Sequence, residues 1–174
     1  NKKFINHKTS NGRIRKNYIE EKRWDRNDIR GMLKIPAEYY LNRGFSEKIL
    51  DKYDIGWYNK LDRIVIPIFD INYKWVVGTT SRSPYEKCEK CGKYHKISNK
   101  QCPSTPSPKW RHSKGFKTEN CLFNLWFSKS YIEESKVAII VEGVGCAIKL
   151  VESGINNVVA IFGAELKSGQ ETLL

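Results

Sequence analysis

The chain has 174 residues, 31 of them Lys or Arg and 19 Asp or Glu, for a net charge of +12 at pH 7. That length builds one ordinary domain or two small subdomains with a real core, and no apolar run approaches the roughly 18 residues of a membrane span. With no secretory signal, the five cysteines, two of them in a C-x-x-C pair, argue for a reducing compartment and for metal rather than disulfides.

The positive charge is unevenly spread. Residues 1–34 carry eleven Lys/Arg against four Asp/Glu, residues 84–117 carry nine against two, and each segment is therefore +7 while the remainder sums to −2. A basic arm and a basic insertion on a near-neutral body favour a polyanionic partner, although solvated lysines alone would read the same way in the arm. Residues 1–34 are polar, show little periodicity and carry Asn11-Gly12 as a turn, so they read as an extended arm or linker that orders against a partner. Phe4, Tyr18 and Trp24 are interleaved with its charges, as in single-strand binders.

From Ile35 the pattern tightens. Pro36 suits a helix start, A-E-Y-Y-L-N-R-G ends on Gly44, and Ser46 caps a second short helix, S-E-K-I-L-D-K-Y. Arg43 falls where a helix C-terminal cation belongs. Asp62–Asp70 and Lys74–Arg82 read as two strands around a short Ile-Asn-Tyr turn, and Pro67 inside the first argues for an edge or a bulge. Arg63 and Arg82 lie on this hairpin, either on a solvated face or facing phosphate. Next comes Cys88-x2-Cys91-Gly92, then His95, then Cys102, four candidate ligands for tetrahedral zinc. Cys88, Cys91, His95 and Cys102 form the best quartet. The His95 spacing is unusual, so Cys121, or a residue outside this stretch of chain, stands as an alternative fourth ligand. Lys109-Trp-Arg-His-Ser113 and Leu122-Phe-Asn-Leu-Trp126 follow.

Val137–Val141 is a mostly β-branched run that fits a strand buried on both faces, and it stops on Glu142-Gly143. Ala147, Ile148, Leu150 and Val151 recur at helical spacing, Gly154 suits a helix C-terminus, and Val158–Phe162 is a second apolar strand. This is a βαβ unit with parallel strands, and ligands gather at the carboxyl ends of such strands. Glu142 lies there, where a lone carboxylate beside a glycine suits a hard divalent cation or the phosphate it carries, the plainer alternative being a cap on the next helix. Ser168-Gly-Gln-Glu171 reads as a capping box before Thr172-Leu173-Leu174, so the chain reads as a fragment that stops where a helix begins.

The order strand-Glu-Gly-helix followed by G-I-N-N-V-V-A-I-F-G-A-E-L-K-S resembles the opening of a Toprim domain, that of bacterial and phage DnaG-type DNA primases. I-P-A-E-Y-Y-L-N-R-G-F-S-E-K-I-L-D-K-Y-D-I-G-W resembles the segment that opens the RNA-polymerase core of the same family. The hairpin resembles its R-(I/V)-x-F-P-I-x-D and G-x-x-x-R, and the two later segments resemble its P-K-Y-x-N-S and L-Y-G-L. The resemblance runs collinearly over roughly Ile35 to Leu174 with one insertion. It implies an α+β fold: a basic arm over 1–34, the N-terminal α/β subdomain of the primase core over 35–135, with a zinc-binding insertion at 84–108, and the first βαβ of a Toprim α/β domain over 136–174.

What the resemblance implies for function is template-directed synthesis of short RNA primers on single-stranded DNA. The cofactors would be Mg²⁺ (or Mn²⁺) and Zn²⁺, and the partners the DNA template, nucleoside triphosphates and a replicative helicase. The setting would be the cytoplasm of a bacterial cell, with a phage as a fitting source. Glu142 would be the catalytic magnesium ligand, and Arg43, Arg63, Arg82, Lys109, Trp110 and His112 would hold nucleotide or template. Two departures stand out. Cys146 occupies the acidic position of the family's Glu-Gly-x-x-Asp, and the later Asp-x-Asp strand is absent from these residues, so this stretch alone is expected to be inactive. Zinc in related primases sits in a separate N-terminal domain, so a site inside the core is expected to be structural, pinning a basic loop near the template. The rival readings are a Toprim topoisomerase or nuclease, and a degenerate primase-like module that only grips single-stranded DNA.

Overall fold

Residues 63–69 alternate isoleucines with other apolar groups after a single arginine, and the strand they form, β5 (Arg63–Phe69), is buried along its whole length. The computed structural model describes residues 6–8, 14–16, 23–97 and 101–174. β5 pairs antiparallel with β6 (Trp75–Arg82), Ile64 lying opposite Arg82. Asp70 closes the hairpin, its Oδ1 accepting hydrogen bonds from the N–H groups of Lys74 (2.7 Å) and Trp75 (3.0 Å). β4 (Gly56–Tyr58) pairs with the other edge of β5 over Arg63–Val65 only. Pro67 therefore lies beyond that pairing, and a register shift follows between Ile68 and Phe69, so the strand is both locally an edge and bulged. β3 (Trp24–Asp25) and β7 (Trp110–His112) share the outer edge of β6.

The expected helix pair is present as α2 (Glu38–Leu41) and α3 (Glu47–Lys52), with Gly44 at φ 78° between them. Ser46 caps α3, its Oγ accepting from the Ile49 N–H at 3.3 Å. The basic stretch 1–34 is not extended throughout. Its residues 24–31 fold onto the body as β3 and α1 (Arg26–Gly31). The cause is Asp54, a carboxylate 1% exposed at the end of α3. A buried charge needs paired donors. Arg26 supplies them through Nε at 2.6 Å and Nη2 at 3.0 Å, and Arg30 joins from the next turn while also reaching Asp51. Upstream, β1 (Asn6–Lys8) and β2 (Ile14–Lys16) pair antiparallel, whereas the expected Asn11-Gly12 turn, Phe4 and Tyr18 lie outside the described residues.

The βαβ unit forms as read: β8 (Ile139–Val141), α5 (Val144–Glu152) and β9 (Val158–Ala160), the strands parallel. Gly154, at φ 90°, ends α5 in a Schellman motif, with Gly154 N–H on Val151 O and Ile155 N–H on Leu150 O. β8 is not buried on both faces, for Ile140 is 41% and Val137 54% exposed. The reason is position. β9 has β8 on one side and a bridge from Phe123 on the other, while β8 has a single strand neighbour among the described residues.

One core joins the two halves: Leu50, Tyr53, Ile55, Ile64, Ile66 and Ile68 pack with Phe123, Ala147, Ile148, Val151, Val158 and Ala160. Polar ties reinforce it. Glu152 Oε1 accepts from the Ser46 N–H at 2.6 Å, and Lys149 donates to the Gly44 carbonyl. α4 (Leu125–Ser135) starts directly after Asn124, which is left-handed (φ 71°). The last helix, α6 (Ser168–Glu171), begins a turn before the apolar Thr172–Leu174, with Lys167 as its N-cap and Gln170 Oε1 accepting from the Lys167 N–H at 3.1 Å. No helix of the described residues is long and apolar enough to cross a membrane.

Candidate template interface and metal centre

Arg82, the last residue of β6, is in register with Trp110, the first of β7, so the ends of the insertion meet at one point of the sheet. α2 lies over this point. Tyr39 and Arg43 are one helical turn apart, and the Arg43 guanidinium lies 4.1 Å from the Tyr39 ring. Arg82 Nε donates to the Tyr39 hydroxyl at 2.8 Å, and its guanidinium lies 5.0 Å from that ring and 5.4 Å from the Trp110 ring. Arg43 and Arg82, from separate segments, thus meet on Tyr39, and Arg82 also reaches the Trp110 ring. Among the described residues neither guanidinium has an acidic partner, which leaves both charges for an outside anion. Trp110 is 37% exposed, enough ring face for a base to stack on. Tyr39 was missed in the sequence; its spacing of four from Arg43 was the available signal.

Arg63 is placed otherwise. It is 4% exposed and burial lowers its pKa, yet every bond it makes is internal. Nε donates to Ser81 Oγ at 3.1 Å, and Nη2 to the carbonyls of Ser81 (3.2 Å), Pro108 (2.9 Å) and Lys109 (2.8 Å). It clasps the returning end of the insertion and faces no open surface. Lys109 is exposed, its carbonyl held by Arg63 and by the Ser83 N–H at 2.9 Å. His112, at the far end of β7, is exposed overall but has Phe116 and Phe162 beside its ring, each 5.8 Å away, and this partial desolvation pushes its pKa below the ordinary value.

Phe162 also connects this face to the βαβ unit. Ile161 N–H donates to Val141 O at 3.0 Å, which sets the carboxyl ends of β8 and β9 side by side, and Phe162 follows with its ring on His112, Phe116 and Phe123. Glu142 leaves β8 at that end, exposed, with Gly143 as the N-cap of α5. No hydrogen bond engages its carboxylate among the described residues, so it does not act as the helix cap. Cys146 is exposed one turn into α5. The described residues gather no group of three metal-ligating side chains around Glu142.

They do so in the insertion. The ligand atoms of Cys88, Cys91, His95 and Cys102 all lie within 4.8 Å of one another, and Cys121 is not among them. Gly92, at φ 70°, turns the C-x-x-C-G knuckle, with its N–H on Cys88 O at 2.7 Å. Tetrahedral Zn²⁺, with Zn–S about 2.3 Å and Zn–N about 2.0–2.1 Å, sets two sulfurs roughly 3.8 Å apart and a sulfur and a nitrogen roughly 3.6 Å apart. Here the Cys88 and Cys102 sulfurs are 4.0 Å apart, and Cys91 Sγ lies 3.4 Å from His95 Nε2. His95 Nδ1 lies 3.0 Å from Lys96 O, a contact that leaves Nε2 facing the sulfurs. The Cys91 backbone N–H pulls the Cys88 thiol down to about 6, while the crowding sulfurs, Cys91 first, push Cys102 up to about 11. Three sulfurs this close compete to carry charge, and a divalent ion removes the competition by replacing their protons. The cluster is a Cys3His set that could bind zinc.

No family model matches the chain. A DNA primase of Aquifex aeolicus (strain VF5) is 27% identical over 157 residues, covering 79% of this chain and 32% of that protein, so the chain spans about a third of its curated relative. A crystal structure of the Aquifex aeolicus primase comprising zinc-binding and RNA polymerase domains superposes with TM-score 0.58 at 26% identity, over 78% of this chain and 38% of that one. The RNA polymerase domain of Mycobacterium tuberculosis primase DnaG superposes with TM-score 0.57 at 15% identity, over 78% of this chain and 52% of that one. A DnaG primase catalytic domain bound to single-stranded DNA gives 0.54 at 18%, over 79% and 49%. In sequence and in its mixed α+β fold, the chain resembles the RNA polymerase core of a DnaG-type DNA primase.

Proposed function

We propose that this chain is the core portion of a DnaG-type primase, a nucleotidyltransferase that makes short RNA primers on single-stranded DNA from nucleoside triphosphates. The observation that carries this reading is the meeting of Arg43 and Arg82 on Tyr39 with Trp110 beside Arg82, since separate segments of the resemblance supply one cationic and aromatic surface. The division follows the resemblance: a basic arm to residue 34, a core subdomain over 35–135 and the start of a Toprim domain over 136–174. In this scheme Arg43 and Arg82 hold phosphates, Trp110 stacks a base, and Lys109 adds charge at the same edge. Arg63 acts from behind, by fixing the strand end that carries Lys109 and Trp110. His112, its pKa lowered by the rings beside it, lies between that edge and Phe162.

Mg²⁺ is held by one or two carboxylates together with substrate phosphates and water. Glu142, exposed and without a hydrogen-bond partner among the described residues, fits as one such ligand to an ion that arrives with the triphosphate. Bound there, the ion would polarise the reacting phosphate and assist attack by the 3′ hydroxyl. The setting is a bacterial cytoplasm, the partner a replicative helicase, and a phage a fitting source. Cys146, in place of a second acid, supports one rival, a core that grips single-stranded DNA without catalysis.

The test is primer synthesis by the full-length parent protein on single-stranded DNA, with labelled ribonucleotides and Mg²⁺, beside its Glu142→Gln variant. Short RNA from the wild type and a loss of about 100-fold or more in the variant is expected, by analogy with removal of one essential charge stabiliser. Activity that survives the substitution removes Glu142 from catalysis. Intact DNA binding with no synthesis from either protein establishes the non-catalytic rival.

A further inference from the structure

The segment 83–109 leaves β6 at Arg82 and returns into β7 at Trp110, two residues that lie in register across the sheet. A connection this long, with no strand or helix among its described residues, is ordinarily functional or disordered. Here it is stitched. Lys87 and Tyr94 bridge to form a short hairpin that carries the Cys88–Cys91 knuckle. Tyr94 N–H donates to Ser107 O at 2.9 Å, and Ser107 Oγ donates back to Tyr94 O at 2.6 Å. Lys93 Nζ donates to Pro103 O and Ser104 O, just past Cys102. Arg63 then takes Pro108 O and Lys109 O, and Trp110 follows. These contacts link the Cys3His cluster to the residues just before Trp110.

We propose that one Zn²⁺ bound by Cys88, Cys91, His95 and Cys102 sets the position of the Trp110 ring against Arg82, so that metal loading of the insertion controls the single-strand surface. The mechanism is loop entropy. The cluster ties the outgoing and returning limbs of the insertion to each other, and without the ion only short hydrogen bonds between exposed limbs oppose its opening. The last ligand, Cys102, lies eight positions before Trp110, and four backbone carbonyls in between are held by Lys93 and Arg63. Loss of the ion frees Cys102 and the stitching to the knuckle, leaving Arg63, the Ser83 N–H and the pairing with β6 to define where β7 begins. The part played by single-stranded DNA rests on the function proposed above; the metal and its hold on the loop do not.

Three measurements on the full chain separate these layers. Zinc content of the purified protein, by mass spectrometry of the metal, is expected to be equimolar, absent from a Cys88→Ser/Cys102→Ser variant, and retained by His95→Cys, which restores four donors. Limited trypsin digestion reads the loop without DNA: cleavage after Lys87, Lys90, Lys93 or Lys96 is expected to accelerate on chelation in the wild type. Affinity for a labelled single-stranded oligonucleotide reads the surface. Chelation is expected to weaken it about tenfold in the wild type, within the range for one base stacked on an aromatic ring, and by less than about twofold in Trp110→Ala. Zinc below a tenth of an equivalent overturns the metal site, and unchanged proteolysis on chelation overturns its hold on the loop. An equal loss of affinity on chelation in Trp110→Ala overturns the control of Trp110 while leaving the metal site standing. Bound zinc and a protected loop with no DNA affinity in any form overturn the coupling to DNA and the primase reading together, and leave the metal as a purely structural clamp.

Discussion

Asn124 offers the sharpest test of how the two halves are held together. It is 1% exposed, in the left-handed region at φ 71°, and bonded on both sides. Its Oδ1 accepts from the Tyr53 hydroxyl at 2.6 Å, and its Nδ2 donates to Val158 O at 2.8 Å, joining the end of α3 to β9 through the start of α4. Burial pushes the Tyr53 pKa up, so that hydroxyl is a donor at any ordinary pH. Asn124→Gly keeps the backbone conformation but strands one buried hydroxyl and one buried carbonyl, at about 1–3 kcal/mol each, a cost of about 2–6 kcal/mol. Asn124→Ala strands the same groups and adds a Cβ in the left-handed region, about 1 kcal/mol more. Against a typical stability of about 5–15 kcal/mol, either change is large. Equilibrium urea unfolding, followed by circular dichroism, measures both. Tyr53→Phe, placed in the Asn124→Gly background, removes the stranded hydroxyl and should cost about 1 kcal/mol less than it does in the wild type. An alanine variant as stable as the glycine variant refutes the backbone argument, and additive Tyr53 and Asn124 effects refute the pairing.

Arg63 and Arg82 should separate stability from binding. Arg63→Met leaves the Pro108 and Lys109 carbonyls short of a donor and is expected to cost about 2–4 kcal/mol in urea unfolding; Arg82→Ala is expected to cost under about 1 kcal/mol yet weaken single-strand affinity and flatten its salt dependence by about one unit of slope. The reverse assignment of effects would show that Arg63, not Arg82, faces the nucleic acid. His112 has its folded pKa held below 6.5 by burial, so the folded state binds the proton less readily than the unfolded chain. Its contribution is therefore fully present above the unfolded pKa and is lost as pH falls through the folded value. Proton NMR should find the His112 ring titrating below 6.5, and His112→Phe should flatten the acid limb of the stability profile below pH 6.5; a midpoint at or above 6.5 refutes the burial argument.

Several features of this fold were legible locally because their causes are local. Period-two isoleucines made β5, Ser46 capped α3, Gly154 closed α5, and C-x-x-C-G with His95 and Cys102 already named the four atoms that converge in the insertion. The chain order carried the family resemblance, and the resemblance marked Arg43 and Arg82, with Arg63 beside them. What the sequence could not tell was which charges are spent internally. Arg63 opens and Arg82 closes one hairpin and the two look alike in one dimension, yet one is consumed by three backbone carbonyls and the other lies beside an open tryptophan face. The same holds for the arm, where Arg26 and Arg30 serve a single buried carboxylate at Asp54 more than twenty positions away. Desolvation and pairing depend on neighbours that only chain folding brings together, so burial of a charge is a tertiary fact. The exposure of Ile140 is another, because a β-branched run specifies a strand but not how many neighbours will cover it.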